Sequence, residues 1–185
     1  MKNYAPYLLM LSLSGCASIS YEPVKLDSAS PVDAANVHAC PVTLDVNKVC
    51  IAKVQADRWT SPTGIEVKEA GEAYCLKVLP DQVWFDANRR HTPPYGEVGS
   101  WVMRLSERRH LDPFFSLMID VEPEGALHNG KTAKVVPDLN RFRFPSAHGG
   151  KLVLYPNDAK GPANDPAYWY KNNHGYIWVI IERCI

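Results

Sequence analysis

Apolar and polar side chains alternate over short runs along most of this chain, with the period of strands rather than helices. Val49 to Ala56 reads as one strand, and Gly64-Ile65-Glu66-Val67-Lys68 alternates strictly. Gly71 marks a turn before Tyr74 to Leu79, and Val83-Trp84-Phe85 follows Pro80-Asp81. Ser100 to Leu105 sets Trp101, Met103 and Leu105 on one side. Phe114 to Val121 is an uninterrupted apolar run, which predicts a strand buried on both faces or beneath a neighbour. Arg141 to Phe144, Gly150 to Tyr155 and Tyr176 to Glu182 close the series, and 86–99 and 122–140 read as loops. No stretch carries the 3.6-residue period that would predict a helix. Fifteen prolines and eleven glycines fit many turns between short strands. The expectation is an all-β sandwich or barrel, with Trp59, Trp101 and Trp178 in strands and in its core.

The first residues follow a different logic. Lys2 precedes a short, mostly apolar run from Tyr4 to Leu13. That run is too short for a membrane-spanning helix, which needs roughly 20 apolar residues. Its length suits the core of an export signal. Leu13-Ser14-Gly15-Cys16 resembles a bacterial lipobox, in which cleavage precedes the cysteine and the thiol takes a diacylglycerol. The alternative is an ordinary secretory signal with a chance cysteine. The resemblance implies a signal peptide over 1–15, a lipidated flexible tether over 16–40 and a folded domain over 41–185. It also implies a bacterial cell envelope address. Ala17 stands where an inner-membrane retention signal carries Asp, which favours the outer membrane. Acyl chains held this way anchor stably because each buried CH₂ contributes about 0.8 kcal/mol.

Charge narrows the partners. The chain has 20 Lys and Arg against 20 Asp and Glu, and Lys2 is the only charged residue before Cys16. A balanced chain gives no electrostatic case for nucleic acid. Of five cysteines, four remain once Cys16 carries lipid. In an exported chain Cys40, Cys50, Cys75 and Cys184 read as two disulfides with three possible pairings. We favour Cys40–Cys50 closing a small loop and Cys75–Cys184 tying an early strand to the last. No C-x-x-C pair supports zinc.

Several segments in order resemble the PA-IL-like galactose-binding lectins, a family with a jelly-roll-like antiparallel β-sandwich of the galactose-binding-domain type. They are Arg58-Trp59-Thr60 with Thr63 to Val67, Ala70-Gly71-Glu72, and Gly99 to Arg104. Gly150 to Tyr155 running into Asn157-Asp158, and Asn172-Asn173-His174-Gly175 before the last strand, complete the set. The resemblance covers Ala52 to Ile185, with an insertion between Arg108 and Leu139. It implies a calcium ion that ligates sugar hydroxyls, held by Asp158, Asn172 and Asn173. Calcium takes six to eight hard oxygen ligands at about 2.3–2.6 Å, which mixed carboxylate, amide and backbone oxygens supply. A single carboxylate implies a weak site, in the range of about 10⁻⁴–10⁻³ M. The loop between Asp158 and Asn172 is longer than in those lectins. Asn-Asp and Asn-Asn-His-Gly are also turn formers, so the same residues read as structural turns.

Tyr168-Trp169-Tyr170 lies in that enlarged loop. Aromatic faces stack on sugars, so Tyr168 and Trp169 are candidate ligand contacts; the other reading has the cluster covering the core. Trp84 and Asp86 stand where the first binding loop of the family would begin. Enzyme motifs are missing from the sequence: no G-x-S-x-G elbow, no H-E-x-x-H and no phosphate-binding glycine loop. Arg89-Arg90-His91 and Arg108-Arg109-His110 read as solvated loop clusters or anion contacts. The expected function is carbohydrate or envelope-glycan binding without catalysis. The alternative is a non-catalytic structural or protein-interaction lipoprotein that has lost the sugar site.

Overall fold

A computed structural model describes residues 39–86, 92–97, 112–123 and 133–184, all within the compact unit Pro31–Ile185. These residues form two antiparallel four-stranded sheets. The strands are β1 (Val49–Gln55), β2 (Ser61–Val67), β3 (Ala73–Val78), β4 (Leu117–Glu122), β5 (Lys134–Val135), β6 (Phe142–Pro145), β7 (Gly150–Pro156) and β8 (Tyr176–Cys184). One sheet runs β1-β8-β3-β6 and the other β2-β7-β4-β5. Alternate residues of each sheet turn inward and meet in one core, among them Val54, Leu76, Val179 and Ile181 against Ile65, Ile119, Leu152 and Leu154. The fold is all-β, as the alternation predicts, and sandwich-like.

β2 buries every second residue, as a strand with one wet face should. β4 buries Leu117 to Val121 without a break. Its outward Met118 joins Ala133, Tyr155 and Val135 in a second apolar cluster. The run is therefore buried on both faces, as its composition implies.

Four expectations need correction. Phe114 to Ser116 precede β4 rather than belonging to it, because Phe115 adopts a positive φ of 61° that breaks extended pairing. Val83-Trp84-Phe85 forms only isolated bridges, Trp84 to Thr92 and Phe85 to His174. Within 122–140 lies β5, whose two residues are too few to show a period. Trp59 sits half-buried in the turn after β1, and Trp178 sits half-buried on the outer face of β8. β8 is apolar at outward and inward positions alike, so alternation alone does not tell its faces apart.

Both favoured cysteine pairs form disulfides, Cys40–Cys50 and Cys75–Cys184. The second fastens β3 to the end of β8. Next to it, Tyr74 donates to Glu72 Oε2 at 2.7 Å, and Glu72 Oε1 accepts from the Lys68 backbone at 3.2 Å. Arg183 reaches the same carboxylate at 3.5 Å and the Leu44 carbonyl at 3.2 Å. Burial, with the Glu72 carboxylate beside it, pushes the Tyr74 hydroxyl well above the usual tyrosine range. Cys16, the tether as far as residue 38, Trp101 with its strand, and both Arg-Arg-His clusters lie outside the described residues.

Candidate functional site

The opposite end of the sandwich gathers the turn after β1, residues 84–86, the segment after β7 and residues 168–175. β7 ends at Pro156, and Asn157 takes over the pairing. The Asn157 N–H donates to the Ser116 carbonyl and the Phe115 N–H donates to the Asn157 carbonyl, each at 2.8 Å. Its side-chain amide donates to the Pro113 carbonyl at 3.2 Å. Asn157 is fully buried, so these bonds fix the direction in which Asp158 leaves the strand.

Asp158 is only 3% exposed. Its Oδ1 accepts from the Ala159 N–H at 2.6 Å, and its Oδ2 accepts from the Asn173 amide at 2.8 Å. The same Asn173 Nδ2 donates to the Ala56 carbonyl at 3.1 Å. Two side chains thereby tie three loops together. The Asn173 Oδ1 is buried and has no hydrogen-bond partner among the described residues. A buried carbonyl left unpaired costs about 1–3 kcal/mol. It belongs to the amide whose nitrogen contacts the carboxylate.

The enlarged loop docks onto this pair. The Tyr170 hydroxyl donates to the Pro156 carbonyl at 2.9 Å and lies 3.4 Å from the Asp158 N–H, which donates to it. Its ring meets Trp59 edge-on at 5.2 Å. Within the loop the Gly161 N–H donates to Pro166 and the Asp165 N–H to Pro162, at 3.0 and 2.9 Å. A Cβ on Gly161 would stand 2.2 Å from the Asp165 carbonyl oxygen, so only glycine closes this turn. Lys171 pairs with Asp165. A short 3-10 helix, Tyr168–Asn172, carries the chain back to β8.

Its first two residues are exposed aromatics. Tyr168 and Trp169 are 51% and 46% exposed, with rings edge-to-face at 4.9 Å. The third aromatic, Tyr170, is wholly buried. Both readings of the triplet are thus realised, one residue packing inward and two facing solvent.

The structure brings Asp158 and Asn173 together across the long loop. Asn172 is exposed beside them. Asp86 is half-buried, one residue after the Phe85–His174 bridge that draws its segment alongside Asn172 to Gly175. Trp84 is fully buried, its indole N–H donating to the Phe115 carbonyl at 3.1 Å. It is a core residue that offers no face to a ligand. Among the described residues no three acidic, histidine or cysteine side chains cluster as a metal site would. A cation here would draw on one carboxylate with amide and backbone oxygens. Sequence reasoning missed Asn157 and Tyr170 as the residues that orient Asp158. Nothing in either one's sequence context distinguishes it from its neighbours.

No protein-family model matches the chain, and a search of curated proteins finds no significant relative.

Proposed function

We propose that this chain is a lipid-anchored envelope lipoprotein whose sandwich binds carbohydrate at the loop end, with calcium held by Asp158 and Asn173. The observation that carries the reading is the Asn173 Oδ1, buried and without a partner among the described residues, on the amide hydrogen-bonded to Asp158. A hard cation would satisfy that oxygen and draw on the carboxylate. Exposed Asn172 adds a third oxygen from the same loop, and sugar hydroxyls complete the shell. Calcium would supply a fixed positive point that orients vicinal hydroxyls, while Tyr168 and Trp169 offer aromatic faces to the apolar side of the ring. On this reading the sandwich is the jelly-roll-like galactose-binding type of the PA-IL-like lectins, and the protein does not catalyse.

The anchor belongs to the same proposal: Cys16 carries the diacylglycerol and the protein sits at the outer membrane. Mass spectrometry of the mature N-terminus should find an acylated Cys16; a free thiol there rejects the anchor. For the binding function, a glycan array probed with and without millimolar calcium is the test. Calcium-dependent retention lost in Trp169→Ala supports it, and uniform lack of retention rejects it.

One observation favours a structural role instead. Both Asp158 oxygens already accept hydrogen bonds, from Ala159 and Asn173. A turn-locking carboxylate needs nothing more. On that reading the chain is a structural or protein-interaction lipoprotein, and crosslinking in intact cells should capture one specific envelope partner.

A further inference from the structure

The outer face of the β1-β8-β3-β6 sheet departs from what a sandwich needs. Outward positions of a two-sheet fold face water and are ordinarily polar. On β8 they are Tyr176, Trp178 and Ile180, all half-buried. The register lays the neighbours beside them. Gln55 pairs with Tyr176, Lys53 with Trp178, Ile51 with Ile180, and Val49 with Glu182. On the other side Lys77 pairs with Ile180 and Cys75 with Glu182. Arg143 pairs with Cys75. An apolar stripe thus runs down the middle of the face, with Lys53 and Lys77 exposed on its two flanks. Val49 extends it at 56% exposure. Glu182 is the single acid among these paired outward positions, against Lys53, Lys77 and Arg143.

The aromatic part is held in place. Tyr176 and Trp178 meet edge-to-face at 5.9 Å, and Lys53 Nζ lies 3.9 Å from the Tyr176 ring centroid. Past the end of β3, the Gln82 side chain takes over strand pairing. Its Oε1 accepts from the Trp178 N–H at 2.6 Å, and its Nε2 donates to the Trp178 carbonyl at 3.0 Å. The stripe is therefore carried on hydrogen-bonded strands rather than on a loop that could fold over itself.

We propose that this face docks on a lipid bilayer carrying anionic headgroups. Tyrosine and tryptophan favour the boundary between headgroups and acyl chains, where one edge is apolar and the other wet. Lysines on both flanks match the negative surface, each strengthening partition by roughly fivefold. Stacking on a second copy is disfavoured, because a symmetric pair would bring together two faces of the same net positive charge. The docking is independent of the glycan site, which lies on the loops at one end of the sandwich. It is also distinct from the acyl anchor, although an anchored chain would meet the surface at high local concentration.

The test is co-sedimentation of the mature chain, residues 16–185, carrying Cys16→Ser, so that neither the signal segment nor an acyl chain contributes. Vesicles are of phosphatidylcholine, alone or with about one third phosphatidylglycerol. The parent should partition preferentially to the anionic vesicles. Lys53→Glu with Lys77→Glu should lower that partition at least roughly twentyfold, from two attractions of about fivefold each turned to repulsion. Val49→Glu should lower it severalfold. All three positions are exposed, so the fold survives, and an unchanged melting temperature verifies it. Equal binding to both vesicle types overturns the proposal. So does partition that Lys53→Glu/Lys77→Glu leaves intact, or loss seen only with Tyr168→Ala/Trp169→Ala. A parent dimer that the lysine variant dissolves would assign the face to a second copy and overturn it equally.

Discussion

Asp158 and Asn173 lie fifteen residues apart and share a hydrogen bond of 2.8 Å inside the loop end of the sandwich. Neither sits in a strand. Asp158 is aimed by Asn157, which continues the pairing of β7, and Asn173 is aimed by its bond to the Ala56 carbonyl. The long loop between them closes on itself and returns through Tyr170, so its extra length does not separate the two side chains.

Tyr170 should therefore be the residue through which loop and pair are coupled. Tyr170→Phe keeps the ring against Trp59 and removes the donor to the Pro156 carbonyl. The Pro156 carbonyl keeps its bond from the Asp158 N–H at 3.0 Å, so losing the hydroxyl should cost about 0.5–1.5 kcal/mol in urea unfolding. A cost below about 0.5 kcal/mol would show that the hydroxyl does not hold the loop.

Gly161→Ala separates loop from core. The added Cβ meets the Asp165 carbonyl oxygen at 2.2 Å and Tyr168 Cβ at 2.6 Å, so the loop must open. Hydrogen exchange should accelerate in the loop, while the amides of β7 and β8 stay protected. Faster exchange throughout both sheets would show that the loop supports the core.

The two disulfides should differ in what they contribute. Cys75–Cys184 closes a loop with a sequence separation of 109, and Cys40–Cys50 one of 10. Loop-closure entropy alone gives about 5 kcal/mol for the first and about 3 kcal/mol for the second. Paired replacement by alanine should lower the melting temperature more for Cys75/Cys184, and the reverse order would refute the entropic ranking.

At the far end, Tyr74 carries a pH dependence of known sign. Its folded hydroxyl holds its proton more tightly than the unfolded one, which ionises near pH 10. The stability it contributes is whole below about pH 10 and falls as pH rises further, because only the unfolded chain gains by ionising. Tyr74→Phe removes the donor to Glu72 and should destabilise by about 1–2 kcal/mol at neutral pH. It should also flatten the alkaline decline relative to the parent. Parallel alkaline curves for the two proteins would contradict this.

Much of the sandwich was legible because its strands obey one rule, that of alternate residues turned to a common core. Val49 to Ala56, Tyr74 to Leu79, Gly150 to Tyr155 and Tyr176 to Glu182 each overlap a strand within a few residues. The rule fails where tertiary contacts override the local pattern. Phe115 turns through a positive φ that its apolar neighbours do not announce, and Trp84 is drawn wholly inside. Trp178 is the reverse case, an aromatic at an outward position of a strand apolar on both faces. The meeting of Asp158 with Asn173 was expected from a family resemblance alone. The parts that produce it, a buried asparagine extending a strand and a tyrosine closing a loop, have no local signature.

The most direct measurement is isothermal titration of calcium into the chain, beside Asp158→Asn, which keeps the shape and one of the two accepted hydrogen bonds while removing the charge. The account predicts a stoichiometric isotherm with a Kd of about 10⁻⁴–10⁻³ M that the variant abolishes. No heat at millimolar calcium, or an isotherm that Asp158→Asn leaves unchanged, would contradict it.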